Sequence, residues 1–168
     1  VVPSSIGQIA AIIFGGLAGA ILLRDGVASS GDAHLSLSVS RTSGIISLIV
    51  FGTLLIGLPM LSAVSQAEDI RLFDRFFRVG SLVFGGGHVV LPLLQSEVVS
   101  PRWVSNDVFL AGYGATQAVP GPLFTFAAYL GAVIGGAGTA VLCLVAIFLQ
   151  SFLLVIGALP FWQDLRRR

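Results

Sequence analysis

The chain has 168 residues, 55% of them hydrophobic and only 10% charged, with a mean hydropathy of +0.98. Soluble domains carry about 25% charged residues, so this composition excludes a water-solvated globule and points to a bilayer as the solvent. A net charge of +1 excludes the electrostatic footprint of a nucleic-acid binder, and a single cysteine, Cys143, excludes an intramolecular disulfide.

Stretches 1–23, 42–67, 79–96 and 108–163 contain no Asp, Glu, Lys or Arg. A crossing takes roughly 20 mostly apolar residues, so the first three match one crossing each and the last is too long for one. The chain opens on Val1 inside an apolar run, without the basic start and small-residue cleavage site of a signal peptide. It therefore reads as a piece of a longer protein, with residues 1–26 as the last transmembrane helix of a preceding half. Gly15, Gly16 and Gly19 suit close approach of a neighbouring helix. Residues 27–43, Ser-rich and holding His34, read as an extramembrane linker. From residue 44 a second module runs to the end of the chain, beginning with a span over 44–65 that Pro59 can kink.

In "QAEDIRLFDRFFRVG", residues 66–80, Arg71, Arg75 and Arg78 recur at i, i+4 and i+7 with Leu72, Phe73, Phe76 and Phe77 between them. Such an amphipathic helix either lies on the membrane surface or leads straight into the next span, carrying Arg78 toward a run of glycines. A polar loop over 96–107 follows, with Glu97, Arg102 and Asp107 as solvated charges and Trp103 at interface height. The stretch 108–163 would make a helix of about 84 Å at 1.5 Å per residue, nearly three times the apolar thickness of about 30 Å. It divides into a short helix near 108–119, a second near 123–134 and a full span near 139–161, with Cys143 as a small buried hydrophobe. If the arginines at 71, 75 and 78 and those at 166, 167 and 168 are all cytoplasmic, as the positive-inside rule prefers, an even number of crossings separates them. One of the three hydrophobic units between them then enters and returns on the same side.

Two motifs interrupt apolar sequence. In "FGGGHVVLP" Gly85, Gly86 and Gly87 read as irregular backbone, His88 opens a helix and Pro92 falls near its first turn; in "QAVPGPLFT" Pro120 ends one helix, Gly121 permits an unusual backbone angle and Pro122 suits the first turn of the next. Irregular backbone at membrane depth is tolerated only under cover of protein or a water-filled cavity. Two helix starts facing one cavity would offer unpaired N–H groups and about half a positive charge each, an anion site without buried formal charge. The competing reading is that the glycines serve packing and the prolines only kink. Gln117, Thr116 and Thr125 flank the second break, and Gln95 shares a helical face with His88; each can donate to an oxyanion, though Thr125 can equally bond its own helix and Gln95 a neighbouring one. His88, ionisable at membrane depth, is a candidate for anion contact or proton carriage, with Glu97 a second proton-coupling candidate. All nine basic residues are arginine, so the choice of Arg at any one of them carries no argument. No metal-ligand cluster, nucleophile–base pair or nucleotide fingerprint is present in the sequence, so neither an enzyme nor a cofactor is expected.

"FFRVGSLVFGGGHVVLPLLQSEVV", "FLAGYGATQAVPGP" and "FLQSFLLVIGALPFW" resemble the second half of the long, two-half members of the chromate ion transporter family, closely over residues 72–161. The resemblance implies an all-α integral membrane protein of the bacterial inner membrane, multi-pass: a helical bundle with broken or re-entrant half-helices, one half of an inverted repeat. It implies secondary efflux of chromate, with sulfate, of the same shape and charge, as a competitor. Membrane lipid and an N-terminal homologous half, in the same or another chain, are the expected partners. The alternative is a noncatalytic membrane subunit or channel half that needs a partner chain.

Overall fold

The computed structural model describes Phe14 and residues 39–83, 87–118 and 123–166. The chain divides into two units, Val1–Ser38 and Val39–Arg168. Phe14, helical, is the one described residue of the first unit, so the rest of the expected helix over 1–26 and residues 27–38 of the linker, His34 among them, lie outside the described residues, while residues 41–43 of the expected linker are already helical.

Every described regular element of the second unit is helical: α1 (Arg41–Val64), α2 (Glu68–Leu82), α3 (Gly87–Val98), α4 (Asn106–Gln117), a 3-10 turn (Leu123–Thr125) and α5 (Phe126–Arg166). α1 begins three residues before the expected span because Ser40 caps it, its Oγ accepting from the N–H of Ser43 at 3.1 Å. α5 is interrupted at Gly135 and Gly136, the latter at φ 80° and ψ −161°. A Cβ on Gly131 would lie 2.5 Å from the Thr139 carbonyl oxygen, and the Phe124 ring meets Phe148 at 5.7 Å. Contacts that pair 131 with 139 and 124 with 148 mean that residues 123–134 fold back antiparallel along 137–166.

Only α1 and the later arm of α5 are long and apolar enough to cross a membrane among the described residues. At 1.5 Å per residue the 24 residues of α1 span about 36 Å, against about 22 Å for the 15 of α2 and about 18 Å for the 12 of α3 or of α4. Only 17% of the most apolar stretch of α1 and 28% of that of α5 is buried, so neither is the core helix of a soluble fold. Ile56, Met60 and Val64 present 69%, 68% and 83% of their surface outward, which in water would be a severe liability and in lipid is not.

α1 and α5 run antiparallel: Gly44 sits against Pro160, and Ser47 Oγ donates to the Leu153 carbonyl at 2.9 Å. The connections after α1, after α3 and at residues 135–136 therefore gather at one end, the loop end, while Ser40 and the finish of α5 lie at the other. α2 and α3 form an antiparallel hairpin joined by the ion pair Arg75–Glu97. α4 and residues 126–134 form a second, in which Phe109 meets Phe126 edge-on at 5.1 Å and Tyr129 Oη donates to the Val108 carbonyl at 3.3 Å. The core, including Leu72, Phe76, Phe77, Leu94, Phe109, Phe126, Leu130, Cys143 and Ile147, lies where these hairpins meet α5.

Three expectations are corrected. The stretch 79–96 is not one crossing: α2 ends at Leu82 and α3 starts at Gly87, so it forms the tip of a hairpin. The helix carrying the three arginines does not lie on a membrane surface, since Leu72, Phe76, Phe77 and Val79 are buried in the bundle. Arg71, Arg75 and Arg78 do not share an end with Arg166, and Arg167 and Arg168 lie outside the described residues. Arg71, Arg75 and Arg78 lie toward the loop end and α5 finishes at the other, because two hydrophobic units turn back and one runs through.

Candidate functional site

Described residues of both hairpins reach the middle of α5. Near the first tip, a Cβ on Gly80 would lie 2.5 Å from the Ile147 carbonyl oxygen and 3.2 Å from Gln150 Cγ. Just beyond the second tip, Phe124 packs on Phe148. Gly80 and Phe124 thus meet one turn of α5, roughly half-way along its later arm. Gly85, Gly86, Pro120, Gly121 and Pro122 lie outside the described residues. Gly87 and His88 are the first two residues of α3. Pro92 falls in the second turn of α3, not the first, and removes the backbone bond that residue 92 would donate to the His88 carbonyl. After the second break, helical backbone resumes at Leu123, directly behind Pro122.

The flanking polar residues are partly committed. Gln117 Nε2 donates to Tyr113 Oη at 2.6 Å and Thr116 Oγ1 to the Tyr113 carbonyl at 2.8 Å, both within α4. Gln95 Nε2 donates to Asn106 Oδ1 at 2.6 Å and so ties α3 to α4. Thr125 is exposed in the 3-10 turn. Gln150, beside Gly80, escaped the sequence reading: it is 6% exposed in the otherwise apolar later arm of α5, with Nε2 donating to Ser151 Oγ at 2.6 Å. The isolated "QS" within "IFLQSFLL" was the available signal.

A second polar locus lies at the loop end. A recess of about 600 Å³ opens between the end of α1, the polar face of α2 and the segment after α3. Arg78 Nη2 donates to Asp74 Oδ2, which also accepts from Ser62 Oγ at 3.1 Å. Asp74 is 3% exposed, and these two donors satisfy a carboxylate oxygen that burial keeps from water. Arg75 donates to Glu97 Oε2 at 2.7 Å and to its carbonyl at 3.2 Å, and lies over the Trp103 ring at 5.1 Å. Glu97, expected as a solvated loop charge, is thus a half-buried ion-pair partner on the last turn of α3, at the opposite end of that helix from His88. Asp107 is exposed in the first turn of α4, where the helix dipole favours it. Sequence reasoning singled out Arg78 but missed Asp74, for which the i,i+4 spacing was the available signal, and missed the partners of Arg75, because a pair 22 residues apart leaves no local pattern. Among the described residues no group of three or more His, Cys, Asp or Glu could hold a metal ion.

The sequence model of the family described as "Chromate transporter" matches residues 70–168. The chain is 33% identical over 87 residues to the chromate transport protein of Pseudomonas aeruginosa, covering 52% of this chain and 21% of that one. It is 38% identical over 101 residues to the uncharacterized transporter YwrA of Bacillus subtilis, covering 59% and 57% respectively. With the chromate transport protein of Cupriavidus metallidurans the identity is 25% over 111 residues, covering 63% of this chain and 28% of that one. The chain therefore spans between about a fifth and three fifths of the length of these relatives. No solved structure matches it.

Proposed function

This chain belongs to the chromate transporter family, and from that membership we propose that residues 44–168 form one half of a secondary carrier that exports chromate, with sulfate as a competing substrate, across the bacterial inner membrane. The oxyanion is held at mid-membrane by the helix starts that follow the glycine run and Pro122, and Arg78 attracts it from the loop end. In this reading α2 with α3, and α4 with residues 123–134, are re-entrant hairpins that enter from the loop end and return to it. The observation that carries the proposal is the meeting of both hairpins with one turn of α5, Gly80 on Ile147 and Phe124 on Phe148. Half-helix N-termini converging at that depth are a recurrent way to bind anions in carriers built from repeats.

A homologous N-terminal half, in the same protein or a partner chain, supplies the opposing wall, and alternating access follows from rocking of one half against the other. Export of a dianion from a cell that is negative inside is assisted by about 2.3 kcal/mol per charge per 100 mV, so proton coupling is not required. With Glu97 committed to Arg75, His88 is the stronger candidate for it. The second reading is a noncatalytic subunit whose breaks only pack against a partner.

The test is chromate efflux from preloaded cells producing the chain together with a homologous half. Gly86→Val and Gly121→Val should each abolish efflux while leaving the protein folded. Full efflux from both variants would sink the anion-site reading. The subunit reading predicts no chromate- or sulfate-dependent change in melting temperature of the purified chain.

A further inference from the structure

The recess at the loop end carries more positive charge and more hydrogen-bond donors than its own partners use. Arg71, Arg75 and Arg78 line it against two carboxylates, Asp74 and Glu97. Arg75 Nη1 donates to both the carboxylate and the carbonyl of Glu97, and its guanidinium lies over the Trp103 ring. Arg71 makes no side-chain hydrogen bond or ion pair among the described residues. Arg78 spends Nη2 on Asp74, while its Nε is buried with no acceptor. A buried donor without a partner is destabilising, and a structural ion pair alone does not explain why one is kept beside an uncompensated guanidinium.

We propose that this recess is a second oxyanion station, outside the mid-height site, where a tetrahedral dianion takes the Arg71 guanidinium and the Arg78 Nε–H, and where Asp74 holds Arg78 when no anion is bound. The inference rests on the carrier reading for its biological sense but not for its test. Guanidinium forks match oxyanion geometry and lose little order on binding. Asp74, a like charge, sets the affinity low enough for the anion to leave. Ser62, whose one hydroxyl proton is shared between Asp74 Oδ2 and the Pro59 carbonyl, keeps Asp74 oriented when Arg78 turns to the anion.

Trp103 provides the probe, since it lines the recess while the other tryptophan, Trp162, is 57% exposed near the far end of α5. Sulfate is titrated into the Trp162→Phe chain in nanodiscs of zwitterionic lipid, and Trp103 emission is followed. A saturable change is expected. Arg71→Gln should weaken sulfate roughly tenfold or more, the loss of a charge-assisted hydrogen bond. Asp74→Asn should tighten it. Arg78→Gln strands Asp74, so the double variant Asp74→Asn/Arg78→Gln, which removes both charges, carries the Arg78 test and should also lose binding. Gly121→Val should keep the Trp103 response even where it abolishes efflux, separating the two stations. The proposal is overturned if Arg71→Gln and the double variant titrate like the parent, if Gly121→Val removes the response, or if emission follows added anionic lipid and ignores sulfate. Normal efflux by Gly121→Val would instead count against the mid-height site and leave this one standing.

Discussion

Gly80 lies so close to Ile147 that a Cβ on the glycine would sit 2.5 Å from the Ile147 carbonyl oxygen. The obstacle is backbone within a helix and cannot step aside as a side chain can. This contact seats the first hairpin against α5 at half its height. Gly80→Ala should therefore destabilise the protein by about 1–3 kcal/mol, the usual cost of overpacking, measured by thermal melting in detergent. Gly57→Ala, with nothing within 4 Å, should melt at the parent's temperature or slightly above it.

At the turn inside α5, Gly136 has φ 80° and ψ −161°, a conformation essentially reserved for glycine. Gly136→Ala should cost about 1–3 kcal/mol through backbone strain, although no atom lies within 4 Å of the added Cβ. Gly138→Ala, in equally open space within the helical arm, should be tolerated. Equal melting of the two variants would contradict a sharp turn at this position.

Side-specific labelling tests the hairpins directly. In a Cys143→Ala background, Gln66→Cys, Ser100→Cys and Ala137→Cys, all at exposed positions of the loop end, should react with an impermeant maleimide from one face of the membrane. Ser40→Cys should react from the other. If position 100 labels from the Ser40 side, α2 with α3 crosses the membrane and is not re-entrant. Cys143 itself, 0% exposed, should stay unlabelled in the folded parent.

Arg75 and Glu97 are 33% and 25% exposed, so their pairing is partly screened by solvent. A double-mutant cycle with Arg75→Gln and Glu97→Gln should give a coupling of about 1 kcal/mol, reduced in high salt. Because the guanidinium also lies on Trp103, Arg75→Gln should cost more than Glu97→Gln.

Although it misread 79–96 as one crossing, the pattern of uncharged stretches, proline and glycine was enough to specify α1 as a membrane-length helix and the division of 108–163 into two short helices and one span. These are local consequences of side-chain solvation and backbone geometry, and they are written where they act. The core role of Cys143 and the interhelical bond of Gln95 were legible for the same reason. The direction in which each hairpin returns was not, since a broken apolar stretch is compatible with a kinked crossing or a reversal until its neighbours choose. The contacts Gly80–Ile147, Gly112–Tyr129 and Gly131–Thr139 made that choice by letting helices approach where larger side chains would hold them apart. Reversal put Arg71, Arg75 and Arg78 at the end opposite the finish of α5, paired Arg75 with a carboxylate 22 residues away and set Arg78 against Asp74 with its Nε buried. The charges were present in the sequence, but their partners depended on distances that only the packed bundle determines.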